Sequence, residues 1–181
     1  VILLAVHDLT FQLDGDAIAS TTTNKGNPPH LQTVDWDSIF NADGTTKASL
    51  PTGFGTARLD RDFLSTTPTN QAPFGNLITS DQTTYATGSK DTLPISGWQC
   101  NFDNNVNSKI DIMNAYAAAY TTANGHQVVY FSLERNSNAG DGNVGFWFLQ
   151  DNVGCTSPGG SVAFTGDHRD GDLLIVSAFT N

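Results

Sequence analysis

The feature that most constrains this chain is the identity of its acids. Seventeen of its eighteen acidic residues are Asp, and Glu134 is the only Glu. Glu is a good helix former, whereas Asp competes with the helix backbone and favours caps, turns and metal-binding loops. Charge carried almost wholly by Asp therefore sits in loops rather than along solvated helix faces. That disfavours a helical bundle or a coiled coil. With eight basic residues and a formal net charge of −10, the chain also lacks the basic patch that a nucleic acid demands. The same deficit argues against anionic membrane surfaces.

The remaining polarity is uncharged. Charged residues make up 14% of the 181 and hydrophobic ones 38%, so Ser, Thr, Asn and Gln supply the rest, the balance of a secreted β-rich domain. The length suits one domain, 1–181, with a sizeable core. Cys100 and Cys155 both lie among polar turn formers, and loop cysteines in an acidic, Lys-poor chain point to a disulfide. The apolar opening Val1–Val6 is too short to span a bilayer and lacks the charged flank of an intact signal peptide, so the numbering is expected to begin at a mature or trimmed end.

Local patterning fills in the class. Leu9, Phe11 and Leu13 alternate with Thr10 and Gln12, the period of a strand, up to the turn Asp14-Gly15-Asp16. Asp35–Phe40 reads as one amphipathic helical turn. Turn residues dominate 41–82, where only brief strands are expected. Ser108 with Asp111 three residues on, the spacing of Ile112, Met113, Tyr116, Ala117 and Tyr120, and Gly125 as a stop predict a surface helix over 109–122. Strands are predicted over 127–133, 144–150, 162–164 and 173–179, the first two as a hairpin around the Gly/Asn/Asp-rich turn 136–142. The sum is an all-β fold: a two-sheet antiparallel β-sandwich of jelly-roll type with one surface helix.

Several groupings have the residue types of chemistry. Calcium takes six to eight hard oxygens, which loops rich in Asp, Asn and Gly supply. Candidate ligands are Asp14 and Asp16; Asn136, Asn138 and Asp141; and Asp167, Asp170 and Asp172, with Asp35/Asp37 and Asp60/Asp62 as further pairs. The competing reading is that these side chains cap turns. His7, His30, His126 and His168 show no zinc spacing, and His168, between Asp167 and Arg169, is the most site-like. Glu134 is the obvious acid for glycan cleavage, with Asp141, Asp151 or Asp172 as second carboxylate. The alternative is an ion pair with Arg135. Trp36, Trp98 and Trp147 are candidates for stacking on sugar rings. Trp147 must face opposite to Phe146 and Phe148 in a strand, outward or beneath the helix.

A series of phrases runs through the chain: Phe11–Ala17, Asp35-Trp36-Asp37, Gly88–Asp91 with Ile95 and Trp98, the segment 109–120, Glu134-Arg135, Gly140-Asp141, Gly145–Phe148, Phe164–His168 and Gly171–Val176. In this order they resemble an N-terminal-type β domain of large secreted or surface-exposed bacterial proteins. The resemblance implies an extracellular location more than a reaction. Lys90, Lys109 and Arg135 each fall inside a phrase beside acids, so a charge network of Lys90, Asp91, Lys109, Glu134 and Arg135 is expected to tie loops to the sandwich. The functional expectation is a non-catalytic extracellular domain, structural or adhesive. Left unpaired, its apolar start Val1–Val6 would be a sticky edge, so it either pairs within its own sheet or inserts into a neighbouring copy and assembles a filament. Two alternatives stand beside it: a carbohydrate-binding module that uses the Trp residues, and a glycan-cleaving enzyme that uses Glu134.

Overall fold

A computed structural model describes residues 10–12, 17–19, 34–61, 84–86, 92–101, 106–137, 139–155 and 162–180. The fold is all-β and antiparallel in every sheet, as the sequence implies. Among the described residues the one α-helix is α1, Trp36–Ile39, followed by a single 3-10 turn at Ile95–Gly97. The strands are β1 Phe54–Arg61, β2 Thr84–Ala86, β3 Gln99–Asn101, β4 Ile112–Thr121, β5 Gln127–Arg135, β6 Gly142–Phe148, β7 Gly154–Cys155, β8 Val162–Thr165 and β9 Leu173–Phe179. Among the described residues no helix is long and apolar enough to cross a membrane. The chain divides into two compact units, Val1–Thr79 with Asn114–Glu134 and Ser80–Met113 with Arg135–Asn181.

The first unit is a three-stranded sheet, β1-β4-β5, with one face covered. The expected helix over 109–122 is instead β4. Its alanines suit a helix, but its burial has period two: Asn114, Tyr116 and Ala118 are buried, while Ala115, Ala117 and Ala119 on the other face are half-buried. Tyr116 and Tyr120 belong to both the helical and the strand pattern, so periodicity alone does not separate the two. The deciding signal is Asn124-Gly125, a strong hairpin sequence. Thr122 N donates to the His126 carbonyl (2.9 Å) and Gly125 N to the Thr122 carbonyl (2.9 Å), with Gly125 at φ +80° where a side chain would be strained. β4 then gains a partner on each side, and pairing overrides helix propensity.

Against the covered face pack Phe11, Ala17, Trp36, Ile39 and Phe40, which join Phe54, Tyr116, Ala118 and Tyr130 in one core. Trp36 stacks on Tyr116 with centroids 5.1 Å apart, and Phe11 sits 4.7 Å from both Trp36 and Tyr130. The helical turn read at Asp35–Phe40 is α1. Asp35 caps it, accepting from Trp36 N at 2.7 Å, and Ser38 completes a capping box. β1 is eight residues long, longer than the brief strands expected in that region.

The second unit holds two sheets, β2-β3-β8-β7 and β6-β9. They meet at Trp98, just before β3, which lies 6.2 Å from Trp147 of β6 and 5.7 Å from Phe164 of β8. The expected hairpin between 127–133 and 144–150 does not form. β5 pairs in the first unit with β4, and β6 pairs with β9 in the register Phe148↔Leu173 to Gly142↔Phe179. The turn chemistry of 136–142 is present, but the partner of each strand is set by a longer-range match.

Candidate functional site

The best-defined polar cluster grows from one end of the β6–β9 ladder. Because Phe148 pairs with Leu173, the residues that follow β6 and those that precede β9 emerge together. Gln150 and Asp151 lie on one side, and Asp167–Asp172 on the other. A tight turn, Asp172 N to the Arg169 carbonyl at 3.0 Å, brings the second segment into β9. Gly171 in that turn has φ +98°, and a Cβ there would stand 3.1 Å from Gln150 Nε2.

Asp172 is the centre of the cluster, with its side chain 4% exposed. Its Oδ1 accepts from Gln150 N at 2.9 Å and from Gln150 Nε2 at 3.3 Å. Its Oδ2 accepts from Arg169 N at 2.9 Å and lies 3.4 Å from His168 Nδ1. The Arg169 backbone N–H, then that of Gln150, holds the carboxyl down at about 2. Asp151 repeats the pattern: Oδ2 takes Asp167 N (3.0 Å) and the Arg169 guanidinium (3.1 Å), and Oδ1 takes Asn152 N (2.9 Å). The Asp167 N–H first, then that of Asn152, lowers its pKa as well. Gln150 Nε2 also donates to the Asp170 carbonyl at 2.9 Å.

His168 joins this cluster to the aromatic layer. Its ring is 4.6 Å from Trp147 and 5.6 Å from Trp98, and Nδ1 faces Asp172. A carboxylate at Nδ1 favours the tautomer that leaves Nε2 as an acceptor, the arrangement of a His–Asp dyad. With the Arg169 N–H on the same Oδ2, the His168–Asp172 contact clamps the turn.

The donors around Asp172 and Asp151 are N–H groups, the opposite of a calcium shell, which is built from oxygens. No three His, Cys, Asp or Glu side chains converge as a metal site among the described residues. Asp14, Asp16 and Asn138 lie outside them. Asn136 turns to Asp111, with N on its carbonyl (2.9 Å) and Nδ2 on its Oδ2 (3.3 Å). Asp141 is exposed in the second unit, away from any such convergence. Asp35 and Asp37 are loop ties, Asp37 accepting from Ala19 N at 2.9 Å. Asp60 makes an exposed two-point pair with Arg58, at 2.7 and 2.9 Å.

The expected Glu134–Arg135 ion pair is absent, because neighbours in a strand point to opposite faces. Glu134 accepts from the Asn114 side-chain amide of β4. Arg135 donates to the Lys109 carbonyl at 2.9 Å and covers the Phe179 ring at 3.7 Å. Lys90 and Asp91 lie outside the described residues. Asn114 is 1% exposed and its Oδ1 has no hydrogen-bond partner. Glu134 lies in the first unit, while Asp141, Asp151 and Asp172 lie in the second.

An exposed Trp platform is also not found. Trp36 and Trp98 are buried in their cores, and Trp98 Nε1 donates to the Leu93 carbonyl at 3.1 Å. Trp147 is half-buried on the face opposite Phe146 and Phe148, as strand alternation requires. It is covered by Trp98 and His168, not by a helix. The cysteines sit on strands rather than in loops: Cys100 opposite Val162 and Cys155 opposite Phe164, on the two sides of β8. Their side chains are outside the description. Two strand spacings put their backbones roughly 10 Å apart, whereas a disulfide spans about 7 Å at most between Cα atoms.

Residue type singles out Asp172 and His168 in the sequence, but not Gln150 and Arg169, their partners. The available signal was position: Gln150-Asp151 ends one strand and Gly171-Asp172 opens another. Compared with known protein families, with characterised proteins and with solved structures, the chain matches none.

Proposed function

We propose that this chain is a non-catalytic extracellular domain of a bacterial surface protein, structural or adhesive. It assembles with copies of itself through the apolar run Val1–Val6. The observation that carries this reading is the use to which acids are put. The carboxylates of Asp172 and Asp151 are saturated by N–H donors of their own loops, Asp35 caps α1, and Glu134 accepts from the Asn114 side-chain amide. Those groups hold loops in place and leave none poised as an acid–base pair. Catalysis of glycan cleavage needs two carboxylates about 5–9 Å apart across a cleft. The apolar run lies outside the described residues, and its role rests on its sequence. Deleting residues 1–6 is expected to abolish filaments in electron micrographs and leave a species of monomer or small-oligomer size by chromatography. Filaments that persist unchanged would refute assembly by strand donation.

A further inference from the structure

β9, Leu-Leu-Ile-Val-Ser-Ala-Phe, carries no charge, no Gly and no Pro. Among the described residues its ladder runs to β6 alone. Val176 is 59% exposed and Leu173 53%, and Ser177 and Ala178 are exposed beside them. Proteins blunt a sheet edge with Lys, Pro, a bulge or a covering element, and β9 has none of the sequence devices. The lack of such devices marks β9 as an edge open to another strand.

The strand is complementary to itself when run antiparallel. With Val176 on a two-fold axis, Leu174 stands opposite Ala178 and Ile175 opposite Ser177, large against small, and Leu173 meets Phe179. Charge fixes the direction. Asp170 and Asp172 precede β9, whereas 173–181 carries no charge. Antiparallel pairing sets Asp172 of one copy opposite Thr180 of the other. Parallel pairing would align Asp170 and Asp172 with their own copies in a chain that already carries −10, and like charges side by side are unfavourable. We infer that β9 is a self-association edge: two copies pair β9 to β9 antiparallel about Val176 and join their ladders into one sheet, β6-β9-β9-β6. The contact is isologous, so it closes as a dimer. It is independent of the apolar run 1–6. An edge contact of one strand lies at the small end of specific interfaces, so the dimer is expected to be weak and concentration-dependent.

The test uses the full chain in sedimentation velocity over a concentration series. Val176→Lys places two like charges on the axis, as does Val176→Asp. Each alone is expected to weaken association at least ~10-fold, and an equimolar mixture to restore it as a heterodimer, because Lys then faces Asp across the pair. In the unmodified chain the amides of 174–178 gain exchange protection as concentration rises. That measurement decides the matter if a variant fails to fold. A chain that stays monomeric with β9 amides unprotected overturns the proposal, as does a V176K dimer of unchanged affinity or a mixture without rescue. Protection of β9 that disappears when residues 1–6 are deleted would make the apolar run the occupant and overturn it too.

Discussion

The two units are held together by different means. Among the described residues the first buries nine hydrophobic residues in one core, six of them aromatic, with Asp35 buried beside them as the cap of α1. In the second, the apolar side chains buried among the described residues are fewer: Ile95, Trp98 and Met113. Its definition comes from Asp172 and Asp151, whose oxygens tie together the loops at the end of β6 and β9. Burial is insensitive to pH and resists local opening. Carboxylate ties titrate and act only over hydrogen-bond distance. One composition, rich in Asp and poor in Glu, thus serves both an aromatic core and a loop cluster tied by carboxylates.

The largest effect is expected from Trp36→Ala, which empties the middle of the first core. Loss of a buried Trp or Phe costs about 3–5 kcal/mol, measurable as a fall in the denaturation midpoint. Amide exchange resolved along the chain then shows whether 114–134 loses protection while 142–148 and 173–179 keep theirs. Equal loss in both would break the contrast between the units.

A smaller effect follows from acid. The pKa of Asp172 is held below its unfolded value near 3.9, at about 2. Its contribution is therefore complete above about pH 4 and lost as pH falls toward 2, and Asp151 changes in the same direction. Exchange at 150–152 and 167–172 should rise over that window before exchange in β4 does, and Asp172→Asn should show the raised rate already at pH 7. Uniform protection from pH 5 to pH 2 would remove the second unit's claim to be charge-held.

The smallest effect belongs to Arg58→Ala. The Arg58–Asp60 pair is 79% and 64% exposed, and exposed pairs contribute about 0–1 kcal/mol. A midpoint shift well beyond that would show that surface charge matters in the first unit as well.

Much of this was legible in the sequence. β9 was read to the residue, and β5, β6 and β8 nearly so, because β-branched and aromatic runs bounded by turn residues have few other solutions. α1 was legible from Asp35–Phe40. β4 was not, since Ala115, Ala117, Ala118 and Ala119 favour a helix and Tyr116 and Tyr120 fit either period. Asn124-Gly125 would have corrected the reading. Strand partners were the other gap: β6 and β9 are joined by matched lengths and side-chain fit over a long separation, which local pattern does not encode. At the candidate site, the Asp residues were rightly placed at turns. Their N–H donors, Gln150 and Arg169, are ordinary surface residues until the strands bring them together.

The interleaving of the two units has a consequence for the order in which the chain acquires structure. All segments of the first unit have been synthesised once Glu134 has appeared, so its aromatic core can close early. β2 and β3 are made before that point and pair with each other, but β3 waits for its second partner β8, and β6 waits for β9. Pairing over such separations is slow relative to local hairpins. The β4–β5 hairpin, closed by three residues at Asn124-Gly125, is therefore the natural first structure, and the β6–β9 ladder the last.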